Sequence, residues 1–201
     1  MKNLIPFNYT ALVLLLVCSG CATSKSLPHA YLDTKHDLSV TVVKIPEKPQ
    51  MMDSGQGGLL GALITSTSRK SMMNDMLQGV QGETVKELIR QEINRLIQEK
   101  FNLVDSSDDL KLNVRIDTYG FFVQTTVAGI KTGGYQFQIR GYVEILDAKQ
   151  GSKKVAFVNG VSQSPLGNKP TQEAVPGALD GAVKQFSENA VSVLLSGKKD
   201  K

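Results

Sequence analysis

The strongest periodicity in the chain lies between residues 83 and 100, where apolar side chains recur every three or four positions. Charged and amide side chains fill the positions between them, as in a helix with one buried side. Glu83 and Lys100 match the polarity of the helix dipole, and Arg95 with Glu99 is typical of a solvated surface. We therefore predict an amphipathic helix whose apolar stripe consists of Val85, Leu88, Ile89, Ile93, Leu96 and Ile97.

A second helical pattern occupies the C-terminal part of the chain, from Ala174 to Leu194. Thr171 is the candidate cap, and Pro176 is tolerated only near the start of a helix or at a kink. Several of the apolar positions are alanines, whose small side chains suit close packing. We expect this helix to pack on a sheet.

Four segments have the composition or the alternation of strands. The first is rich in β-branched residues and stops at Pro46, and the next two alternate between apolar and polar side chains. In the last segment Val155, Phe157 and Val161 mark the apolar positions, and we place the aromatic residues in the core. The last three segments have connections too short for crossovers, which predicts an antiparallel meander. The four segments are residues 38–45, 110–125, 135–145 and 153–164.

The order of these elements is strand, insertion, helix, three-strand meander and helix. This order predicts an α+β fold, a two-layer sandwich with two helices on one face of a mainly antiparallel sheet of about four strands. We assign this single domain to residues 38–196 and a polar tail to residues 197–201.

A segment rich in methionine and glycine, residues 51–82, interrupts this order, and we call it the Met/Gly segment. Three interpretations are open: a flexible insertion that is partly disordered, a helical arm packed on the domain's own sheet, or an amphipathic helix for a membrane surface or a partner groove. Its glycines cost about 1 kcal/mol each in a helix interior, and the segment is too short and too rich in glycine to span a bilayer. The candidate interaction residues are Leu59, Leu60, Leu63, Ile64, Met72, Met73 and Met76.

The N-terminus has the anatomy of an export signal. Lys2 precedes an apolar run at residues 11–17, and the small residues Ser19 and Gly20 precede Cys21. This ending resembles a bacterial lipobox, in which the cysteine becomes the lipidated first residue of the mature protein. Cys18 is the alternative lipidation site, but the bulky Val17 before it is unfavourable next to a cleavage site.

This resemblance divides the beginning of the chain into a signal peptide at residues 1–20 and a lipidated Cys21 with a tether up to residue 37. Acyl chains on Cys21 are enough to anchor the protein in a membrane. Because Ala22 rather than Asp follows the cysteine, the sorting rule of enterobacteria implies the outer membrane, on its periplasmic face.

Composition and charge narrow the possible functions. The chain has 201 residues, 41% of them hydrophobic, a formal net charge of +4 and two cysteines, both near the signal. Processing and lipidation leave the mature chain without a free thiol, which excludes cysteine nucleophiles and thiolate metal sites. His29 and His36 are the two histidines, and we interpret both as incidental surface residues rather than metal ligands.

No nucleophile elbow, phosphate loop or dinucleotide motif is present in the sequence. Basic and acidic residues alternate along the chain, so the net charge forms no evident groove for nucleic acid. We expect a protein that is not an enzyme, needs no cofactor or metal, and binds no nucleic acid.

The lipobox, tether, first strand, amphipathic helix, Phe-x-Leu-Val strand at 101–104, meander and final helix together resemble the YajG-like family of small bacterial lipoproteins. The auxiliary lipoproteins of ABC transporters are similar more loosely. The resemblance covers residues 38–45 and 83–195, and the Met/Gly segment departs from it. It implies a non-enzymatic role in the envelope.

Two hypotheses about function remain open. In the first, the protein is a membrane-anchored binding or structural module that contacts another envelope protein through the Met/Gly segment and an exposed sheet edge. In the second, it is an accessory lipoprotein of a transport system that holds a lipid-like ligand between helices and sheet.

Overall fold

The computed structural model describes residues 35–53, 77, 79–123, 135–162 and 171–196. Six strands and two α-helices lie in these ranges, and the short 3-10 turn Gln172–Ala174 precedes the second helix. They are β1 (His36–Lys44), β2 (Gln50–Asp53), α1 (Gly82–Ile97), β3 (Phe101–Leu103), β4 (Leu110–Val123), β5 (Tyr135–Asp147), β6 (Ser152–Val161) and α2 (Val175–Leu195).

One sheet contains all six strands, in the order β3-β1-β4-β5-β6, with β2 paired to β4 beyond the end of β1. Strands β4, β5 and β6 are antiparallel neighbours, whereas β1 runs parallel to β3 and β4, and β2 runs parallel to β4. The predicted α+β class, with two helices on a sheet, is confirmed. The predicted count of about four strands was too low.

The parallel pairings have a simple cause. Helix α1 lies between β1 and β3 in the chain. It returns the chain to the end of the sheet where β1 begins, so that β3 starts there too and His36 lies opposite Phe101. Parallel neighbours need a connection of this kind. The short connections therefore predicted the antiparallel strands β4, β5 and β6 correctly. They did not predict the parallel pairings of β1, β2 and β3.

Residues Gln50–Asp53, most of which we assigned to the Met/Gly segment, form β2 in this sheet. Gln50 pairs with Gly120 of β4, whose φ of 143° favours glycine. A β-carbon on Gly120 would overlap with the carbonyl oxygen of Gln50. Glycine is therefore required at the point where β2 joins the sheet.

Both predicted helices are present, with small differences at their ends. Helix α1 ends at Ile97, and Arg95 rather than Lys100 supplies the cation in its last turn. Thr171 precedes the 3-10 turn and makes no side-chain capping hydrogen bond, while Pro176 lies in the first turn of α2 as expected. Within the described ranges, no helix has both the length and the apolar character needed to cross a bilayer.

The core lies between the two helices and one face of the sheet. Helix α1 buries Val85, Ile89, Ile93 and Ile97 in this layer, and Leu88 at the margin of the predicted stripe is exposed. Each large apolar side chain that is fully buried contributes about 1.5–3 kcal/mol to folding. Helix α2 and the sheet add further buried side chains, among them Ala182, Phe186, Ala190, Leu112, Val114, Phe121, Phe137 and Ile139.

Candidate interaction surface on the open face of the sheet

The helices cover one face of the sheet, and we call the opposite side the open face. Burial along β5 alternates residue by residue from Ile139 to Asp147, and the register carries this alternation across to β4 and β6. Successive side chains of a strand point to opposite faces. The open face therefore contains Lys111, Asn113 and Arg115 from β4, Arg140, Tyr142, Glu144 and Leu146 from β5, and Lys153, Val155, Phe157, Asn159 and Val161 from β6.

An aromatic cluster of Arg115, Tyr142 and Phe157 lies in the middle of the open face. The three residues are neighbours in the register of β4, β5 and β6. The rings of Tyr142 and Phe157 meet edge to face with centroids 5.4 Å apart, and the Arg115 guanidinium lies 4.9 Å from the centroid of Tyr142. These are the geometries of a favourable aromatic pair and a cation–π contact.

Large apolar side chains next to this cluster are open to solvent. Phe157 is 56% exposed and Val155 is 55% exposed. Elsewhere on the face, the guanidinium of Arg140 lies 5.8 Å from the ring centroid of Phe122. Exposed aromatic residues beside arginines are the composition that binding surfaces favour.

Two ion pairs stiffen the same face. Glu144 contacts the Lys153 amine and accepts a hydrogen bond from Asn113 at 3.2 Å. The Lys153 contact, followed by the Asn113 bond, holds the pKa of Glu144 below its usual value. Arg115 donates to Asp117 at 3.0 Å, which orients the guanidinium over the Tyr142 ring.

The exposure of Val155 and Phe157 corrects our sequence interpretation. We took the odd-numbered apolar residues of β6 as its core side and placed the aromatic residues in the core. Instead, Val158 and Gly160 are buried toward the helices, and Phe157 lies on the open face. In the sequence, Gly160 is the signal for the observed orientation of β6. A glycine in a strand marks a place where another backbone approaches closely, here that of a helix.

The outer edge of β6 is partly covered by α2. The Gln185 side chain accepts a hydrogen bond from the Val161 amide, and Asn189 donates to the Asn159 carbonyl at 2.8 Å. These bonds use the outward-facing backbone groups in the C-terminal half of the strand. The exposed sheet edge that we predicted is thus restricted, on this side of the sheet, to the N-terminal half of β6.

The polar side of α1 has a different character from the open face. Its charges form pairs three residues apart within the helix, and Arg95 bonds to Glu92 rather than to the predicted Glu99. The other two pairs are Lys86 with Glu83 and Arg90 with Glu87. Exposed pairs of this kind contribute little to stability and are typical of a solvated helix.

The residues proposed from sequence as interaction or lipidation sites lie outside the described part of the structure. These are Cys21, Leu59, Leu60, Leu63, Ile64, Met72, Met73 and Met76. Of the two histidines, His29 also lies outside, and His36 begins β1. Among the residues that are described, no three His, Cys, Asp or Glu side chains come together as a metal site would require.

No family model and no curated protein matches this sequence. Among solved structures, the fold is similar to XCC0632 from Xanthomonas campestris, a protein of family DUF330, at 15% identity over 86% of this chain and 88% of that chain, with a TM-score of 0.46. Rare lipoprotein B from Shewanella oneidensis is 12% identical over 80% of this chain and 92% of that one, with a TM-score of 0.33. Lipoprotein GNA1162 from Neisseria meningitidis is 12% identical over 65% and 86%, with a TM-score of 0.20.

Lipoproteins are therefore among the structures that this fold resembles in part. All three TM-scores are below 0.5, so none of these proteins lends its role to this chain. The resemblance to the YajG-like family stays a prediction.

Proposed function

We propose that this chain is a non-enzymatic lipoprotein of the bacterial envelope, anchored through Cys21 in the outer membrane on its periplasmic side. In this proposal the domain is a binding module, and it contacts another envelope component through the open face of its sheet. The observation that carries the proposal is the aromatic cluster, exposed on the side of the sheet that neither of the two described helices covers.

The sequence supports the anchor. Cys21 follows two small residues at the end of an apolar run, which is the arrangement that signal processing and lipidation require. The tether then reaches β1, which begins at His36. A folded domain on a tether of this kind stays near the membrane and keeps both of its faces available.

The arrangement of the domain supports binding over catalysis. The open face has two exposed apolar residues, Val155 and Phe157, while the residues on the other side of the sheet are buried under α1 and α2. Large contiguous apolar patches on a monomer mark interaction sites, and Val155 and Phe157 are neighbours on the same side of β6.

The transport-accessory hypothesis needs an apolar cavity between helices and sheet. The described side chains of that layer, including Ile93, Phe137 and Phe186, are fully buried members of one core cluster. This packing favours the binding module.

The anchor is tested by metabolic labelling of cells with a palmitate analogue. We expect label in the unchanged protein and in Cys18→Ser, no label in Cys21→Ser, and sedimentation of the labelled protein with outer membranes. Label that persists in Cys21→Ser but disappears in Cys18→Ser would place the anchor on the other cysteine.

The binding role is tested by site-specific photocrosslinking in intact cells. A photoreactive phenylalanine analogue at position 157 should give a discrete adduct, and the same analogue at position 88, exposed on α1, should give none. Equal labelling at both positions, or none at either, would reject the open face as the contact surface.

A further inference from the structure

The open face carries an excess of positive charge. Asp117 bonds to Arg115, and Glu144 contacts Lys153, so both carboxylates of β4 and β5 on this side are already neutralised. Lys111 and Arg140 have no acidic partner among the described residues. On β4, β5 and β6, the charged residues of this face are four basic, Lys111, Arg115, Arg140 and Lys153, against two acidic, Asp117 and Glu144.

The helices on the other side of the domain show no such excess. Their sequences contain five acidic and four basic residues, and most of these charges form pairs within one helix. The two sides of the domain therefore differ in sign. An anionic surface that approaches the domain is attracted by the open face rather than by the helices.

The most basic row of the open face lies at the end of the sheet where the tether arrives. Lys111, Leu146 and Lys153 are neighbours across β4, β5 and β6, and Lys111 is also paired with Ser39, three residues after β1 begins. About 15 residues separate Cys21 from the start of β1, a length of at most ~50 Å when extended and about 20 Å for a flexible chain. A lipid on Cys21 thus holds this row close to phospholipid headgroups.

The side chains next to this row match the layers of a bilayer surface, where charged headgroups lie outside the acyl chains. Val155 and Phe157 are apolar and exposed, Tyr142 joins a polar hydroxyl to an apolar ring, and cations flank the group on both sides. Apolar side chains enter the boundary between headgroups and acyl chains, and Lys or Arg beside them bind lipid phosphates.

From these relationships we infer that the open face docks on an anionic phospholipid surface, with Phe157 and Val155 inserted among the lipids and Lys111, Arg115, Arg140 and Lys153 on the phosphates. This inference rests on the proposed function, because the tether holds the face near a bilayer only when Cys21 is lipidated.

The absence of tryptophan from the chain makes a direct test possible. Full-length lipidated protein carrying Phe157→Trp is reconstituted into vesicles, so that its single indole reports on the open face. With phosphatidylglycerol in the vesicles, we expect a blue-shifted emission that brominated phospholipids quench. In vesicles of phosphatidylcholine alone, or at high salt, the shift and the quenching should decrease because the attraction is electrostatic.

Leu88→Trp on α1 is the matched control, and its emission should stay that of a solvated indole in both kinds of vesicle. Val155→Trp is a second reporter on the open face and should behave like Phe157→Trp. Adding Lys111→Gln and Lys153→Gln should weaken the lipid contact by about fivefold for each cation removed.

Three results would overturn the inference. An indole at 157 and at 155 that stays as solvated as the one at 88 means that the face does not touch lipid. A blue shift that rises with protein concentration and resists brominated lipid means that a second copy covers the face. Equal quenching with and without phosphatidylglycerol means that charge has no part in docking. If any of these occurs while position 157 still crosslinks to a protein in cells, the proposed function stands and only its lipid partner is rejected.

Discussion

Gly160 of β6 lies against the backbone of α2, so that a β-carbon on Gly160 would overlap with the carbonyl oxygen of Ala182. The backbone amide and the side chain of Phe186 crowd the same position. Helix and strand therefore touch without a side chain between them. Because neighbouring residues alternate, this contact turns the side of β6 that carries Phe157 away from the core.

Gly160→Ala should lower the free energy of unfolding by about 1–3 kcal/mol, because overpacking moves α2 away from the strand. Urea denaturation measures the change. Gly177→Ala is the matched control in α2, where a β-carbon has no atom within 4 Å, and it should stabilise the protein by about 0.5–1 kcal/mol. Equal effects of the two substitutions would contradict the close contact.

Two phenylalanines in adjacent strands should respond differently to truncation. Phe137→Ala removes a fully buried ring that lies edge to face with Phe121 at 5.6 Å, and should cost about 3–5 kcal/mol. Phe157→Ala removes a ring that is 56% exposed, and should cost about 1 kcal/mol or less while abolishing the lipid contact that Val155→Trp reports. A large loss of stability in Phe157→Ala would show that this ring serves folding.

Tyr119 should make the protein sensitive to alkali. Its side chain is buried and donates a hydrogen bond to the Glu47 carbonyl at 3.1 Å, and burial raises its pKa from 10.0 to about 12. Between these values the folded state keeps a proton that the unfolded state has released, so stability falls as pH rises from about 10 to about 12. Below pH 10 this group adds no pH dependence.

The measurement is the urea midpoint at a series of pH values, compared with Tyr119→Phe. The variant loses one hydrogen bond, which costs about 1 kcal/mol at every pH, and should show a shallower decline above pH 10. Parallel curves for the two proteins would assign the alkaline transition to other groups.

Ser107 joins the start of β1 to the start of β4. Its hydroxyl donates to the Asp37 carbonyl at 2.8 Å and accepts from the amides of Asp109 and Leu110. Ser107→Ala removes three hydrogen bonds, one of them from a buried amide, and should cost about 1–3 kcal/mol in thermal or urea unfolding. Ser106→Ala, at an exposed neighbouring position, should change stability by less than about 0.5 kcal/mol.

Sequence periodicity gave the best predictions for helices and strands that have one buried side. The side chains of α1 and the alternation in β4 and β5 follow their burial closely, because apolar residues there lie on one side only. The aromatic residues of β4 and β5 at Phe121 and Phe137 are buried as predicted.

Strand β6 is different because both of its sides carry apolar residues. Val155, Phe157 and Val161 lie on one side, and Ala156 and Val158 lie on the other. An alternation with a period of two then does not decide which side of β6 faces the core. The large side chain of Phe157 favoured the wrong side. The candidate site was missed for this reason, since its central residue, Phe157, had been placed in the core.

The short strand β2 escaped prediction, and β3 was expected only as the Phe-x-Leu-Val strand of the family resemblance. They have four and three residues, too few for a periodic signal, and their neighbours are distant in the chain. Their pairings, Gln50 with Gly120 and His36 with Phe101, exist only once α1 has brought the chain back to the sheet.

The sequence by itself determined the α+β class, the two helices and the meander, because each of these depends on local periodicity, and it predicts a lipid site at Cys21 from a short motif. Only the tertiary structure decided which strands run parallel and which side of β6 faces solvent. The first depends on the crossover through α1, which returns the chain beside β1. The second depends on α2, whose backbone approaches β6 closely at Gly160, where no side chain keeps the two apart.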